Sequence, residues 1–411
     1  MISTSLQARR ITQTLFLVQS LGGAAGVAIF PIIAILGARL SGRDALAGVP
    51  GTAYLVGSAL SAFGWGLLMD RWGRRATLAV GQIAGAAGAL LSGAAVLAGS
   101  FAMFLLGGLL IGTASAALAL SRFVSAEVHP PSERGRAIST VVLGGTVGGI
   151  LGPLLAGPMG GAARAAGLDE LAGPFGATFT LFLLAAAAIV IGLRPEPKDL
   201  AAAIGGQQRA AAGPARSILE IFKTRPALVA LLAMVFGQLV MAMLMVITPL
   251  HMRQHEHPLT TISYVISAHV VGMYAFSIFS GRLVDRWGRG PVIATGSMIL
   301  AVAALGSRLS PDFVPLAASL FLIGLGWNFC FVGGSSLLAD QLTPAERART
   351  QGFNDLLIGL ASAVGSLGSG LVFATVGFGA MGVVGAAVAL FLLSITAWSR
   401  VWRREAEPSM P

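Results

Sequence analysis

Charge is scarce in this sequence. Asp, Glu, Lys and Arg make up 11% of its 411 residues, where soluble domains average about 25%, so a soluble fold of this length would lack a polar surface. The one cysteine, Cys330, excludes a disulfide framework and a thiolate metal cluster. It lies in an apolar run and carries no information about redox compartment. No nucleophile–base set stands out, which argues against an enzyme, and no motif asks for a cofactor or a bound metal. Apolar and small residues take the place of charge: hydrophobic residues form 55% of the chain and glycine supplies 55 positions. Apolar runs of about 20 residues, each long enough to cross a bilayer as a helix, recur along nearly the whole length. Only an all-α polytopic membrane protein fits.

The net charge of +10 could serve a nucleic acid, but the basic residues sit in short connections between apolar runs, not on one patch or helix face. That distribution is topogenic. The N-terminal stretch "MISTSLQARRITQTLFLVQSLGGAAGVAIF" places Arg9 and Arg10 ahead of apolar residues, as a secretory signal does. The apolar stretch runs from Ile11 to about Gly37, too long for a signal core. We expect a retained first helix.

Hydropathy predicts twelve spans, near 11–37, 45–69, 76–98, 101–125, 136–158 and 174–193, then 226–250, 259–284, 291–307, 313–339, 349–376 and 378–399. They form two six-helix halves, 1–193 and 226–411. The longest polar segment, 194–225, is the linker between them, with an amphipathic piece "SILEIF" expected to lie along the membrane surface. Of the 27 Lys and Arg, all but five (Arg39, Arg43, Arg164, Arg253 and Arg308) fall at the termini, in the linker and in the even-numbered loops. By the positive-inside rule those regions are cytoplasmic, in a cell (inner) membrane.

The halves repeat each other. "GLLMDRWGRR" at 66–75 returns as "GRLVDRWGRG" at 281–290, with seven of ten positions identical. "AEVHPPSERGRA" at 126–137 aligns with "ADQLTPAERART" at 339–350, matching Glu127 to Asp340, Pro131 to Pro344 and Glu133-Arg134 to Glu346-Arg347. Two copies in one orientation are related by an axis along the membrane normal, as in transporters with a midplane site between their halves.

The pattern G-x-x-x-D-R-x-G-R-R after the second span resembles the signature loop of the major facilitator superfamily. It is carried by Gly66, Asp70, Arg71, Gly73, Arg74 and Arg75, and again by Gly281, Asp285, Arg286, Gly288 and Arg289. In the fifth span "GGILGPLLAG", with Gly148, Gly152 and Pro153, is similar to the Gly-Pro motif of the drug:proton antiporter-like, twelve-span branch. The resemblance covers the whole chain. It implies that Asp70 meets the N-terminus of the eleventh span and Asp285 that of the fifth, where orphan N–H groups attract anions. It also implies that Arg74 pairs with Glu127 and Arg289 with Asp340, together a cytoplasmic conformational latch. The alternative is that these charges anchor short loops and set topology, the reading preferred for Arg71, Arg75 and Arg286. Gly148 and Gly152 could equally serve close helix packing, and Pro153 should bend the fifth span. The eleventh span has Ser366 where the fifth has Pro153.

Candidates for the pathway are few. Of seventeen acids only Asp355 lies well inside a span. A carboxylate there costs roughly 2.5–3.5 kcal/mol on insertion scales and should face protein or water. It could bind a proton or gate the pathway, or cap the helix start with Asn354; its repeat-equivalent is Val142. His269, between Tyr264 and Tyr274, could relay a proton or hydrogen-bond a neighbouring helix. Arg122 could snorkel or pair with an acid. His251, His255 and His257 in "HMRQHEH" could ligate metal, although no element holds their spacing. The first, fourth, seventh and tenth spans usually line the cavity in this superfamily, and they offer Gln19, Gln238, Trp327 and Asn328. Met241, Met243 and Met245 add adaptable thioethers, or pack. Two departures from the antiporter branch stand out: Gly108 where many members carry Arg in the fourth span, and no acid in the first.

The resemblance implies a monomeric secondary active transporter that exports hydrophobic or amphipathic small molecules by alternating access with proton exchange. The alternatives are an uptake permease or uniporter for a small metabolite and, more remotely, a non-transporting membrane scaffold.

Overall fold

Backbone inside a bilayer has no water to bond to, so an apolar segment must satisfy its own N–H and C=O groups by forming helix. The computed structural model is helical over every predicted span and describes residues 2–130, 133–204 and 216–405. Eleven of its helical stretches are long and apolar enough to cross a membrane. The last of them, within Pro344–Glu405, is two spans, because Gly377 sits at φ 80° and ψ 174°, a conformation essentially reserved for glycine. The fold is therefore twelve transmembrane helices.

Four spans expected to be continuous are broken. The first is Ile2–Val27 followed by Phe30–Ser41, with Pro31 in the first turn of the second piece. The fourth is Phe101–Ala119 and Ser121–Glu127. The fifth is Arg134–Leu154 and Ala156–Ala165, parted just after Pro153, which has no N–H to give the preceding turn. The eighth is Leu259–Tyr274 and Ser277–Trp287. Mean hydropathy is blind to such breaks because both pieces stay apolar.

The chain divides into two compact units, Met1–Gln208 with Glu256–Ser267, and Arg209–His255 with Ala268–Pro411. Each contains the same helix crossing. In the first unit a Cβ on Gly57 would strike the Leu109 carbonyl and one on Gly112 the Tyr54 carbonyl. In the second, Gly272 and Gly324 stand in the same way against Phe321 and His269. Small residues let these backbones touch. The crossing places Tyr54 and His269, 215 positions apart, at equivalent points of the two repeats.

Candidate functional site

Both signature loops turn on a glycine in nearly one conformation: Gly73 at φ 89°, ψ 169° and Gly288 at φ 87°, ψ 165°. Asp70 lies in the last turn of the second span, Val49–Trp72. Arg74 opens the third span and is the hub of the loop. It donates from Nε and Nη2 to the Glu127 carboxylate (3.0 and 3.2 Å), and from Nη1 to the Met69 carbonyl (3.1 Å) and Asp70 (3.3 Å). The second copy is looser. Arg289 donates to Asp340 at 2.9 Å with both side chains more than a third exposed, and Asp285 is exposed. A Cβ on Gly66 or Gly281 would meet nothing within 4 Å, so close packing does not explain either glycine. Pro131 lies outside the described residues, as does 205–215 of the expected linker.

Residues that the sequence alone did not single out tie both ends of that linker down. The Glu196 carboxylate accepts from the backbone N–H of Arg74 (2.5 Å) and Arg75 (3.3 Å) at the N-terminus of the third span. Lys198 donates to the Asp70 carbonyl at 2.7 Å, at the C-terminal end of the second. Each charge sits at the helix end whose dipole favours it. At the other end, Arg216 donates from Nε and Nη2 to the two oxygens of Glu346, both at 2.8 Å, and its backbone N–H adds a bond of 3.0 Å. The short helix Ile218–Lys223 then begins in a Ser217–Glu220 capping box, buries Ile221 and sets Phe222 against Phe353, with ring centroids 5.8 Å apart. The capping-box spacing was visible in the sequence; partners more than 120 residues away were not.

The fifth-span glycines pack. A Cβ on Gly148 would strike the Ser20 carbonyl and lie 2.6 Å from the Ala24 nitrogen, and one on Gly152 would lie 2.6 Å from the Ala24 carbonyl of the first span. Gln19 accepts from Ser121 at 2.8 Å, and the neighbouring Arg122 is exposed with its guanidinium 4.9 Å from the Phe123 ring centroid.

In the second unit Gln238 and Trp327 come together. The indole Nε1–H donates to Gln238 Oε1 at 2.7 Å, and Gln238 Nε2 donates to Ser362 at 3.2 Å. The indole stacks on Phe331 (4.9 Å, 18°) and meets Tyr274 edge-on (6.1 Å, 75°). Asn328 faces elsewhere. Its amide donates to the Met273 carbonyl (2.7 Å) and Ser277 (2.9 Å), and its oxygen accepts from Ser280, so it staples the break in the eighth span. With 2% of its surface exposed it offers nothing to a cavity.

Residues 15–262 and 230–411 match the Major Facilitator Superfamily. The chain belongs to that superfamily. It is 33% identical to the uncharacterized MFS-type transporter YdeG of Bacillus subtilis, over 94% of this chain and 92% of that one. It is 30% identical to the riboflavin transporter RfnT of Brucella anthropi, over 85% and 86% of the two chains. Among solved structures, a bacterial homolog of the human lysosomal transporter Spinster, inward-facing and occupied, superposes with a TM-score of 0.71 at 18% identity, covering 96% of each chain. Major facilitator proteins are membrane transporters of small molecules, not enzymes.

Within this major facilitator chain the remaining candidates are scattered. Asp355 is exposed and sits roughly three turns into its helix, which begins at Pro344 and not at 349 as expected; a capping role at the helix start is thereby removed. His269 is fully buried, with Nδ1 bonded to the Leu320 carbonyl at 2.8 Å and Nε2 without a hydrogen-bond partner in the structure. His251 stacks on Phe378 (4.1 Å, 5°) and holds His255 through its carbonyl. Among the described residues no three His, Cys, Asp or Glu are placed to hold a metal ion.

The Arg216 clamp yields a test. The Arg216 guanidinium, helped by the Thr343 amide, holds the Glu346 carboxyl well below the usual carboxylate range. A depressed pKa means the stabilisation is fully present above the unfolded value of about 4.3 and is lost only as pH falls through the folded one. The clamp should therefore be constant between pH 6 and 8. Trypsin cleavage after Arg216, followed by mass spectrometry, should be slow in the parent protein. It should be roughly tenfold faster in Glu346→Gln, which loses the charge-assisted bonds. Equal rates would mean that Arg216 is not held.

Proposed function

We propose that this transporter exports amphipathic or hydrophobic small molecules by alternating access in exchange for protons. In this reading it is a monomer of the inner membrane, with 1–193 and 226–411 as its two halves and 194–225 and both termini cytoplasmic. One observation carries the substrate reading: the neutral hydrogen bonds of the Trp327–Gln238–Ser362 chain fix a buried indole against Phe331 and the more exposed Tyr274, an aromatic cluster without a charged group. Such a surface suits a mostly apolar solute better than a sugar or a phosphate. The Arg74–Glu127 and Arg289–Asp340 pairs support a latch role for the charged loops. Asp355 and His269 are the proton-binding residues of this proposal, and Arg122 is a gating residue.

A deletion strain and an overexpressing strain should shift in opposite directions in resistance to a shared set of amphipathic toxic compounds. In proteoliposomes, an imposed pH gradient should drive movement of those compounds, and Asp355→Asn should cut the driven rate at least tenfold, the size expected when a titrating group within a membrane span is lost. A driven rate that survives Asp355→Asn and His269→Ala unchanged would rule out proton exchange through these residues. A second reading, uptake of a flat metabolite, is favoured by the relative named as a riboflavin transporter. It predicts accumulation of that metabolite by cells, not expulsion.

A further inference from the structure

The seventh and twelfth spans of the second unit meet along a seam whose aromatic and charged residues are ordered by depth. At the deeper level Phe236 meets Phe391 edge-on, with ring centroids 5.7 Å apart and Phe391 54% exposed. Trp398 comes seven residues later, close to two full turns, so it shares that face ~10 Å further along the axis. It is 55% exposed. The guanidinium of Arg225, the residue that opens the seventh span, stands 5.3 Å from the Trp398 ring centroid. Lys223 is exposed two residues earlier, at the end of the short helix Ile218–Lys223. Charge at this end of the two spans is lopsided in the sequence. Lys223, Arg225, Arg400, Arg403 and Arg404 stand against Glu220 and Glu405, so pairing both acids still leaves three cations. Further in, no acid occurs between Glu220 and Glu256 or between Asp355 and Glu405.

Topogenic charge accounts for bases at the end of a span. It does not account for a guanidinium set on an exposed indole, with an exposed phenyl ring two turns below. We infer that this seam binds an anionic phospholipid, with its phosphate at Lys223 and Arg225, its glycerol level with Trp398 and one acyl chain along Phe391. The order of the residues matches the order of the lipid. Indoles settle at headgroup level, and bases beside an anionic bilayer surface attract its headgroups. Half of a hydrocarbon core is about 15 Å deep, so Phe391 lies within reach of a chain from a single leaflet. A free phosphate ion would meet the cations and leave the aromatic rings uncovered. The inference concerns the lipid around this transporter and stands apart from what is exported.

Phospholipids brominated on one acyl chain quench tryptophan on contact and so read the site. The full-length protein is placed in phosphatidylcholine nanodiscs containing a rising share of brominated phosphatidylglycerol or, in parallel, brominated phosphatidylcholine. Trp398→Phe keeps an aromatic ring and removes its emission, so the difference between parent and variant is the Trp398 signal. Half-maximal quenching of that signal should need about fivefold less phosphatidylglycerol than phosphatidylcholine. Lys223→Gln with Arg225→Gln should bring the two half-points together, Lys223→Gln alone, at an exposed position, should narrow the gap, and Arg225→Lys should keep it. Arg9→Gln with Arg10→Gln removes the same charge from the first span and should leave the gap intact. Equal half-points in the parent, or a gap unchanged in both Lys223 variants, overturns the inference. So does an equal loss from the Arg9 and Arg10 pair, which would make the attraction a property of the whole basic surface. Inorganic phosphate at matched ionic strength should not close the gap; if it does, the cations take free phosphate and the lipid site falls. None of these results bears on the growth screen, so the export reading stands or falls separately.

Discussion

Leucine in place of Gly148 should leave almost no folded protein. The position has no room for a side chain, since even a Cβ would strike the Ser20 carbonyl and crowd the Ala24 nitrogen. Those are backbone atoms of the first span, which cannot rotate away as a side-chain end can. Overpacking ordinarily costs about 1–3 kcal/mol and more where the obstacle is rigid. Here the first and fifth helices must separate along the whole row that continues at Gly152. The monodisperse peak in size-exclusion chromatography should fall below roughly a tenth of the parent's. Gly66→Ala is the matched control, because its Cβ would meet nothing within 4 Å. That variant should express normally, as alanine suits a helix better than glycine does. Normal yield from Gly148→Leu would show that the two helices are not in contact as described.

The second large effect should come from Arg74→Ala. The Arg74 side chain is 13% exposed and supplies four hydrogen bonds, two of them to Glu127. Removing it leaves the carboxylate without its cation and the Met69 carbonyl without its donor, at about 1–3 kcal/mol. The melting temperature should drop by roughly 1–4 °C. Arg289→Ala should cost less than half as much, because the Arg289–Asp340 pair is single and well exposed and such pairs contribute little. A double-mutant cycle of Arg74→Ala with Glu127→Gln isolates the pair itself. Equal losses at positions 74 and 289 would contradict the asymmetry.

The span pattern was legible from hydropathy because a membrane helix is defined by length and polarity alone, and the junction at Gly377 fell between two predicted spans. The charged loops were legible because they repeat. Asn328 was not. An amide in an apolar run reads the same whether it lines a passage or, as here, staples the eighth span at its break. Gln238 and Trp327 could be named one by one, but their bond joins residues 89 positions apart. The partners of Glu196 and Arg216 were hidden for the same reason: helix-end groups and a distant acid become visible only once the chain is folded. The break in the eighth span itself escaped because no proline marks it, only the pair Ala275-Phe276.

Glu196 and Lys198 bind the start of the connecting segment to the second and third spans, while Arg216 and Phe222 bind its end to the corner at Glu346 and to the eleventh. Each half thus owns the stretch of connector next to it. A cut between Ile204 and Arg216 would leave each of these bonds within one fragment, and the covalent link supplies effective concentration. Two separately made fragments divided in that interval would each retain a complete set of anchors, so fragment complementation becomes a question of how often the pieces meet.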